Sequence, residues 1–224
     1  IKGEATHIVR AQLKIRAQLV SSRNTMANQL RGLLKLFGLR MGTVTTPGKR
    51  RERLVALFTQ RSELKAVMQP LIESLEALEA QIARSTRRLA AAAAADPVAA
   101  RLMSVPGVGP ITALIFKSSI EDPGRFARGE DAGAFAGLVP RRNQSGARDY
   151  KGRISMAGDP MLRHALYEAA NSLLVRVKRP CALQAWGKAL AETKGPKRAR
   201  VALARKLAVL LHRLWQSETE FRWA

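Results

Sequence analysis

The chain has 224 residues, of which 39 are lysine or arginine and 17 are aspartate or glutamate, so its formal net charge is +22. Such a charge opposes compaction unless an anion offsets it, which makes nucleic acid the first candidate partner and an anionic membrane surface the second. Hydrophobic residues make up 46% of the chain and aromatic residues 5%, which excludes a disordered basic tail and disfavours a β-barrel. No apolar run is long enough to predict a membrane span. The single cysteine, Cys181, excludes an internal disulfide framework and is typical of a reducing cytoplasm.

Residues 1–96 predict a long antiparallel helical hairpin of the coiled-coil type. Apolar residues spaced by three, four or seven positions predict one helix over residues 3–37, which Gly38 would end. After a short polar turn, leucines between positions 54 and 89 predict a second helix, which Pro70 should kink or split. The leucine stripes form either an internal seam only or also a surface for a further protein.

Charge is uneven along this half of the chain. Residues 1–66 contain 14 basic and 3 acidic side chains, whereas residues 67–100 contain 3 basic and 4 acidic ones. The cluster of Lys49, Arg50, Arg51 and Arg53 therefore indicates a nucleic-acid contact at the turn, the alternative being a solvated charged face.

Residues 97–224 predict a second, compact helical domain, so the fold class is mostly α. A polar break at 139–158 leaves little room for a helix and allows a short strand pair around Arg148–Ile154. The predicted helices are 98–103, 110–119, 129–136, 159–178, 181–191 and 197–216.

A helix-hairpin-helix pattern lies near the start of this domain. The segment around Pro106–Pro110 joins two short predicted helices through Gly107 and Gly109. Glycines let a backbone approach a phosphate, and amides at a helix start can bind it. The alternative is a tight helix connection without a ligand.

A basic loop surrounds one hydroxyl, that of Ser145. A serine that attacks phosphorus must be exposed and needs cations to hold the phosphate. From chemistry alone a Ser-Gly pair in such a loop is more often a turn, no histidine stands beside it, and Ser155 lies in a similar setting. The basic residues of this loop are Arg141, Arg142, Arg148, Lys151 and Arg153.

A third basic segment precedes and opens the last predicted helix. It carries Lys194, Lys197, Arg198 and Arg200, and no acidic residue lies between Lys194 and Lys206. This pattern indicates a clamp on a nucleic-acid backbone, the alternative being a solvated face beside a core helix. The three tryptophans are interpreted as packing residues; they are Trp186, Trp215 and Trp223.

Several kinds of site are excluded by the sequence. It contains no P-loop, zinc-finger or HExxH pattern and no carboxylate cluster of the kind two-metal nucleases need. His7, His164 and His212 lie too far apart in sequence to suggest a metal site. No metal or other cofactor is therefore expected to be bound by this chain.

Four segments in this order resemble the insertion sequence one-ten family of transposases, which is similar to the Piv-type DNA invertases. They are SVPGVGPITA at 104–113, DPGRFARGEDAGAFAGLVPRRNQSG at 122–146, KGRISMAGDPMLRHALYEAA at 151–170 and KRARVALARKLA at 197–208. The preceding RNTMANQLRGLLKLFGL at 23–39 resembles the family's helical linker.

The resemblance implies a DNA transposase or recombinase that acts through a serine nucleophile in an Arg-Arg-x-x-Ser-Gly motif. That motif corresponds here to Arg141, Arg142, Ser145 and Gly146. It also implies a preceding RuvC-like domain with an Asp-Glu-Asp-Asp site for Mg²⁺, in many members a bridge RNA as guide, homo-oligomers, and a bacterial, nucleoid-associated location. Because the first residue is Ile1 and no RuvC-like segment is present, we expect a piece of a longer protein that is inactive by itself.

Two other classes of function stay open from the sequence. The first is a non-catalytic nucleic-acid-binding module that uses only the helix-hairpin-helix and the basic patches. The second is a membrane-surface protein, which would need an amphipathic basic helix flanked by tryptophan. Substitution of Ser145 in the full-length protein separates the first from a recombinase.

Overall fold

The computed structural model describes residues 2–44, 46–145 and 148–223, and of these only the backbone of Arg142, Asn143 and 148–151. Within these ranges the chain is mostly helical, as the sequence predicts. No helix in them is both long and apolar enough to cross a membrane. The elements in chain order are α1 (Glu4–Leu36), α2 (Pro47–Phe58), α3 (Ser62–Ala95), α4 (Pro97–Leu102), α5 (Pro110–Ile120), a 3-10 turn (Pro123–Arg125), α6 (Gly129–Phe135), β1 (Pro140–Ser145), β2 (Arg148–Ile154), α7 (Pro160–Val175), α8 (Ala182–Lys194) and α9 (Pro196–Gln216).

Two compact units share the long helices. The hairpin unit comprises residues 11–88, and the C-terminal unit comprises residues 2–10 together with 89–223. The boundaries between them lie inside α1 and α3. Each helix therefore contributes residues to both units.

The hairpin unit is built on the predicted first helix. Helix α1 ends where Gly38 adopts a φ of +71°, and the amide of Leu39 donates to the carbonyl of Leu34 at 3.0 Å. This glycine-containing helix end is the one that the sequence predicts. The core of the unit contains buried side chains from all three of its helices, namely Leu30 and Leu34 of α1, Leu54 and Phe58 of α2, and Met68 and Leu75 of α3.

The second predicted helix is not split at Pro70. Pro70 lies inside the continuous helix α3, and the chain breaks instead at 59–61, between α2 and α3. At this break the Thr59 hydroxyl donates to the carbonyl of Val55 at 3.1 Å, so that a side chain competes with the helical pattern. Pro70 removes only one backbone donor, and the hydroxyl of Ser74 donates to its carbonyl at 2.9 Å.

The basic cluster at 49–53 is largely used within the unit. Arg50 is buried and pairs with Glu79 of α3, while the more exposed Arg51 lies 3.0 Å from Glu76 of the same helix. These pairs join α2 to α3 and neutralise two of the four cations. Arg50 is therefore not available for a nucleic-acid contact, whereas a contact by the exposed Lys49, Arg51 and Arg53 stays a prediction.

The C-terminal unit is packed around α9. Its small and branched residues recur at helical spacing and are buried, among them Ala199, Leu203, Leu207 and Leu211. Helices α4, α6, α7 and α8 and the 3-10 turn all contact α9. All six predicted helices of this region and the predicted strand pair are present, and the 3-10 turn was not predicted.

One carboxylate joins three elements of the C-terminal unit. Asp159 caps α7 by accepting from the amide of Met161 at 2.9 Å. Its other oxygen accepts from the Arg10 guanidinium of α1 at 2.8 Å and from the Ser119 hydroxyl of α5 at 3.0 Å. Burial would raise the pKa of Asp159, but the hydrogen bonds from Arg10 and Ser119 outweigh it and lower the pKa below the ordinary value of 3.8.

This lowered pKa predicts an acid-sensitive contribution to stability. Since the carboxyl titrates lower when folded, its contribution is present above about pH 4 and is lost as the pH falls below that value. Asp159→Ala should lower the free energy of unfolding at pH 7 by about 1.5–3 kcal/mol, because it removes charge-assisted hydrogen bonds. The loss of unfolding free energy caused by Asp159→Ala should become smaller as the pH is lowered towards 2–3. At such a pH, protonation of Asp159 in the unaltered chain already removes part of the same stabilisation.

Urea unfolding across this pH range measures the effect. Glu76→Ala is the matched control, because Glu76 and its partner Arg51 are exposed and such pairs contribute only about 0–1 kcal/mol. Equal losses for the two variants, or a loss for Asp159→Ala that does not change with pH, would contradict the assignment.

Candidate nucleic-acid interface and serine hairpin

Ser145 is the last residue of β1 in an antiparallel hairpin. Its backbone pairs with Arg148, the first residue of β2, and its side chain is exposed. Gly146, the last residue of the serine motif, lies outside the described residues together with Ala147. The hairpin thus places the candidate nucleophile at the end that is far from α6 and α7.

The base of the hairpin is held by two glycines with positive φ. Gly137 has a φ of +69°, and an added Cβ would lie 2.3 Å from the carbonyl oxygen of Ala157. Gly158 has a φ of +115°, and its Cβ would lie 2.0 Å from the carbonyl oxygen of Phe135. Only glycine fits such contacts, because any side chain would overlap the opposing backbone. The two ends of the hairpin therefore lie directly against each other.

Arg163 fixes both ends of the hairpin. Its Nη1 atom donates to the carbonyl of Ala136 at 3.2 Å, before β1, and to that of Met156 at 3.1 Å, after β2. Sequence reasoning did not single out this residue. One sequence signal could have found it. Arg163 follows the capping Asp159 in the first turn of α7, where the helix dipole disfavours a cation unless other groups bind it.

Ser155 lies in a different environment from Ser145. It follows β2, is half-buried, and donates its amide to the carbonyl of Val139 at 2.7 Å. Ser155 thus belongs to the base of the hairpin, ten residues from Ser145.

The cations predicted around the serine are only partly described. The side chains of Arg141 and Arg153 are exposed, while those of Arg142, Arg148 and Lys151 lie outside the described atoms. In the backbone register Arg142 pairs with Lys151. Because a strand rises about 3.3 Å per residue, Arg141 lies about 13 Å along β1 from Ser145, whereas Arg148 is its register partner.

The predicted helix-hairpin-helix consists of α4, the turn at 103–109 and α5. Gly107 has a φ of +87°, and an added Cβ would lie 2.5 Å from the carbonyl oxygen of Ala169 in α7. Gly109 caps α5, and a Cβ there would meet no atom within 4 Å. Packing against α7 therefore explains why Gly107 lacks a side chain. A phosphate contact by these two glycines stays a prediction.

The predicted clamp lies where α8 ends and α9 begins. Lys194, Lys197 and Arg198 are exposed, whereas Arg200 is half-buried and its Nε atom has no hydrogen-bond partner among the described residues. The first turn of α9 contains no acidic residue. Cations at this positive end of the helix dipole are unfavourable unless an anion offsets them.

Metal-ligating side chains are not clustered in the parts of the chain with described side chains. There, no three His, Cys, Asp or Glu residues lie close enough together to hold an ion. His212 is fully buried, with its Nε2 atom 2.8 Å from the carbonyl oxygen of Pro123.

Comparison with known proteins gives the family. The model of the transposase IS116/IS110/IS902 family matches residues 99–186. A probable family 20 transposase of Pseudomonas aeruginosa is 32% identical over 99% of this chain and 67% of its own length. The chain belongs to the IS116/IS110/IS902 transposase family.

Other members of the family show how much of a transposase this chain represents. The transposase for insertion sequence element IS1111A of Coxiella burnetii is 36% identical over 96% of this chain and 60% of its own length. A putative transposase of Sinorhizobium fredii is 34% identical over 94% of this chain and 55% of its own length. The chain thus spans a little over half to two thirds of these relatives. The resemblance found in the sequence is confirmed at the level of the family.

The two glycines of the α4–α5 turn give a matched test of packing. Gly107→Ser should lower the free energy of unfolding by about 1–3 kcal/mol, because the new side chain meets the backbone of α7 at a positive φ. Gly109→Ser should be neutral or slightly stabilising, because Ser is a favoured N-cap and space is open there. Chemical denaturation of both variants measures this. Equal stabilities would contradict the packing role of Gly107.

Proposed function

We propose that this chain is the serine-bearing, nucleic-acid-binding part of a DNA transposase that cleaves and exchanges strands. Family membership together with the exposed Ser145 at the end of β1 carries the proposal. The proposed partner is DNA, with a bridge-type RNA as guide. A net charge of +22 supports binding to either nucleic acid.

In the proposed reaction the Ser145 hydroxyl attacks a DNA phosphodiester. A new bond forms between Oγ and phosphorus, the bond to one strand breaks, and that strand leaves as a free hydroxyl that takes up a proton in place of the one lost by serine. The result is a phosphoserine ester, and attack by another strand's hydroxyl reverses the step and joins the strands. Because one phosphate ester replaces another, exchange needs no external energy source.

Cations of the hairpin would hold the reacting phosphate. Arg148 is the register partner of Ser145, and Arg141 and Arg142 lie further along β1. We propose that Arg148 lies nearest the attacked phosphate and that Arg141 and Arg142, with Lys151 and Arg153, hold its neighbours. Arg163, Gly137 and Gly158 would position the hairpin from its base.

Activation of the hydroxyl is proposed to come from outside this chain. A serine hydroxyl is a weak nucleophile at neutral pH without a base or a metal. The family's RuvC-like domain, with its Mg²⁺ site, is the proposed source. We therefore expect this chain by itself not to cleave DNA.

The covalent intermediate provides the test of the proposed function. In the full-length transposase, Ser145→Ala should abolish the covalent protein–DNA adduct seen on denaturing gels. DNA affinity should change less than about twofold, because charged phosphate contacts dominate binding. Ser155→Ala is the matched control and should retain the adduct, since Ser155 lies at the hairpin base.

Two outcomes would contradict parts of this proposal. An adduct that survives Ser145→Ala and disappears with Ser155→Ala would move the nucleophile to Ser155. If the full-length protein binds DNA with a salt-dependent affinity but forms no adduct, a non-catalytic nucleic-acid-binding module would be favoured.

Self-association through the hairpin unit is proposed because strand exchange needs more than one cut. Large apolar side chains of this unit are exposed, notably Leu36 at 77% and Val67 at 75%. Burying such a side chain stabilises a complex by about 1.5–3 kcal/mol. The proposed state is a dimer or tetramer.

Light scattering of the 224-residue chain tests this association. Val67→Asp should weaken it about tenfold or more, because a buried charge replaces buried apolar area. Val175→Asp is the matched control, since Val175 is similarly exposed but lies at the end of α7. A strict monomer at high concentration, with and without DNA, would contradict the proposal.

A further inference from the structure

A groove in the C-terminal unit, separate from the serine hairpin, combines an apolar floor with a basic rim. It has a volume of about 540 Å³ and lies between α8, α9 and the segment that follows α9. Its floor includes Leu183, Val209 and Leu210, and the aromatic rings of Trp186 and Phe221 line it. Its rim carries three cations, Lys206, Arg213 and Arg222, and no acidic residue is among the described residues that line it.

The groove is preformed because the segment after α9 is fastened. The amide of Phe221 donates to the Ser104 hydroxyl at 2.9 Å. The ring of Phe221 packs edge-on against Trp223 with centroids 5.6 Å apart, and the Arg179 guanidinium lies 4.5 Å from the centre of the Trp223 ring. A ligand would therefore find the wall of the groove already in place.

Trp186 is the residue that points to a class of ligand. Its side chain is 37% exposed, although indole is among the side chains that gain most from burial. The Lys206 ammonium lies 4.1 Å from the centre of the ring and covers one face of it. A lysine held in this way can swing on its flexible stem from the ring to a nearby phosphate while a flat ligand takes its place.

We propose that this groove binds an unpaired nucleotide, with the base on Trp186 and the adjacent phosphates at Lys206, Arg213 and Arg222. A nucleotide joins a flat apolar ring to a negative charge, which matches the floor and the rim. In a duplex the bases are already stacked inside, so a duplex would meet the cations but not the floor. This inference rests on the proposed function only in taking nucleic acid as the partner, and it adds that one strand is bound in unpaired form.

Binding of short oligonucleotides to the 224-residue chain tests the groove. The probes are fluorescein-labelled oligo(dT) and oligo(U) of about twelve nucleotides and a DNA duplex of similar length. Trp186→Ala should weaken oligo(dT) or oligo(U) about fivefold to a hundredfold, since stacking contributes about 1–3 kcal/mol per base. Duplex affinity should change less than about twofold. Comparison of the two single-stranded probes shows whether the site prefers DNA or RNA.

Two further variants separate stacking from folding and from net charge. Trp186→Phe should keep most of the affinity for single strands but lose the quenching of Trp186 fluorescence. Lys206→Gln should weaken single strands more than the duplex. Lys188→Gln removes the same charge from α8 outside the groove and should weaken both equally and slightly. Circular dichroism confirms that each variant is folded.

The outcomes distinguish the groove from the proposed function. The groove proposal would be overturned if folded Trp186→Ala loses affinity for duplex and single strands equally, or loses none. An acidic protein segment would then be the better candidate ligand for this surface. Salt-dependent duplex binding by the unaltered chain would in that case still support the proposed function. An unaltered chain that binds none of the three probes, at low salt as well as at high salt, would overturn both proposals.

Discussion

The arrangement of the C-terminal unit depends on the carboxylate of Asp159. It accepts hydrogen bonds from the first turn of α7, from Arg10 of α1 and from Ser119 of α5. A carboxylate offers about four acceptor sites, so the contacts to these three elements nearly saturate it. Because Asp159 directly follows Gly158, the same residue that joins the helices also sets where the serine hairpin leaves the unit. A loop that carries the proposed nucleophile needs such a rigid base, since misplacement by about 1 Å can greatly reduce catalysis.

The helices and their ends were predictable because their signals are local. Periodic leucines gave α1 and most of α9, and Gly38 ends α1 in the left-handed conformation that its position suggested. Pro, Gly and Asn leave little room for a helix at 139–158 and allowed a strand pair around 148–154, and the structure shows strands at 140–145 and 148–154. The break at 59–61 was not predictable, because no glycine or proline marks it and only the Thr59 hydroxyl and the shared core of α2 and α3 favour it.

Features of the site that depend on distant residues could not be read from the sequence. Gly107 packs against the backbone of α7, more than 60 residues away in the chain, and no local pattern shows this contact. Arg163 joins carbonyls of two segments, and nothing in its local sequence reveals which ones. Trp186 was interpreted as a packing residue because composition cannot show that one face of its ring borders an open groove. Ser145 was identified as a candidate nucleophile from the resemblance to a family and not from the chemistry of its neighbours.

Much positive charge remains available for a partner, because 39 basic residues face only 17 acidic ones. Each ion pair found among the described residues joins two different segments: Asp159 with Arg10, Asp96 with Lys117, Glu79 with Arg50, Glu76 with Arg51 and Glu218 with Arg101. These five carboxylates therefore act within the fold. The remaining cations include Lys194, Lys197 and Arg198, which are exposed beside the positive end of α9. Their mutual repulsion and their interaction with the helix dipole both oppose folding in the absence of an anion. A bound phosphate chain would relieve both, so binding of nucleic acid should stabilise the same helix that forms the centre of the unit.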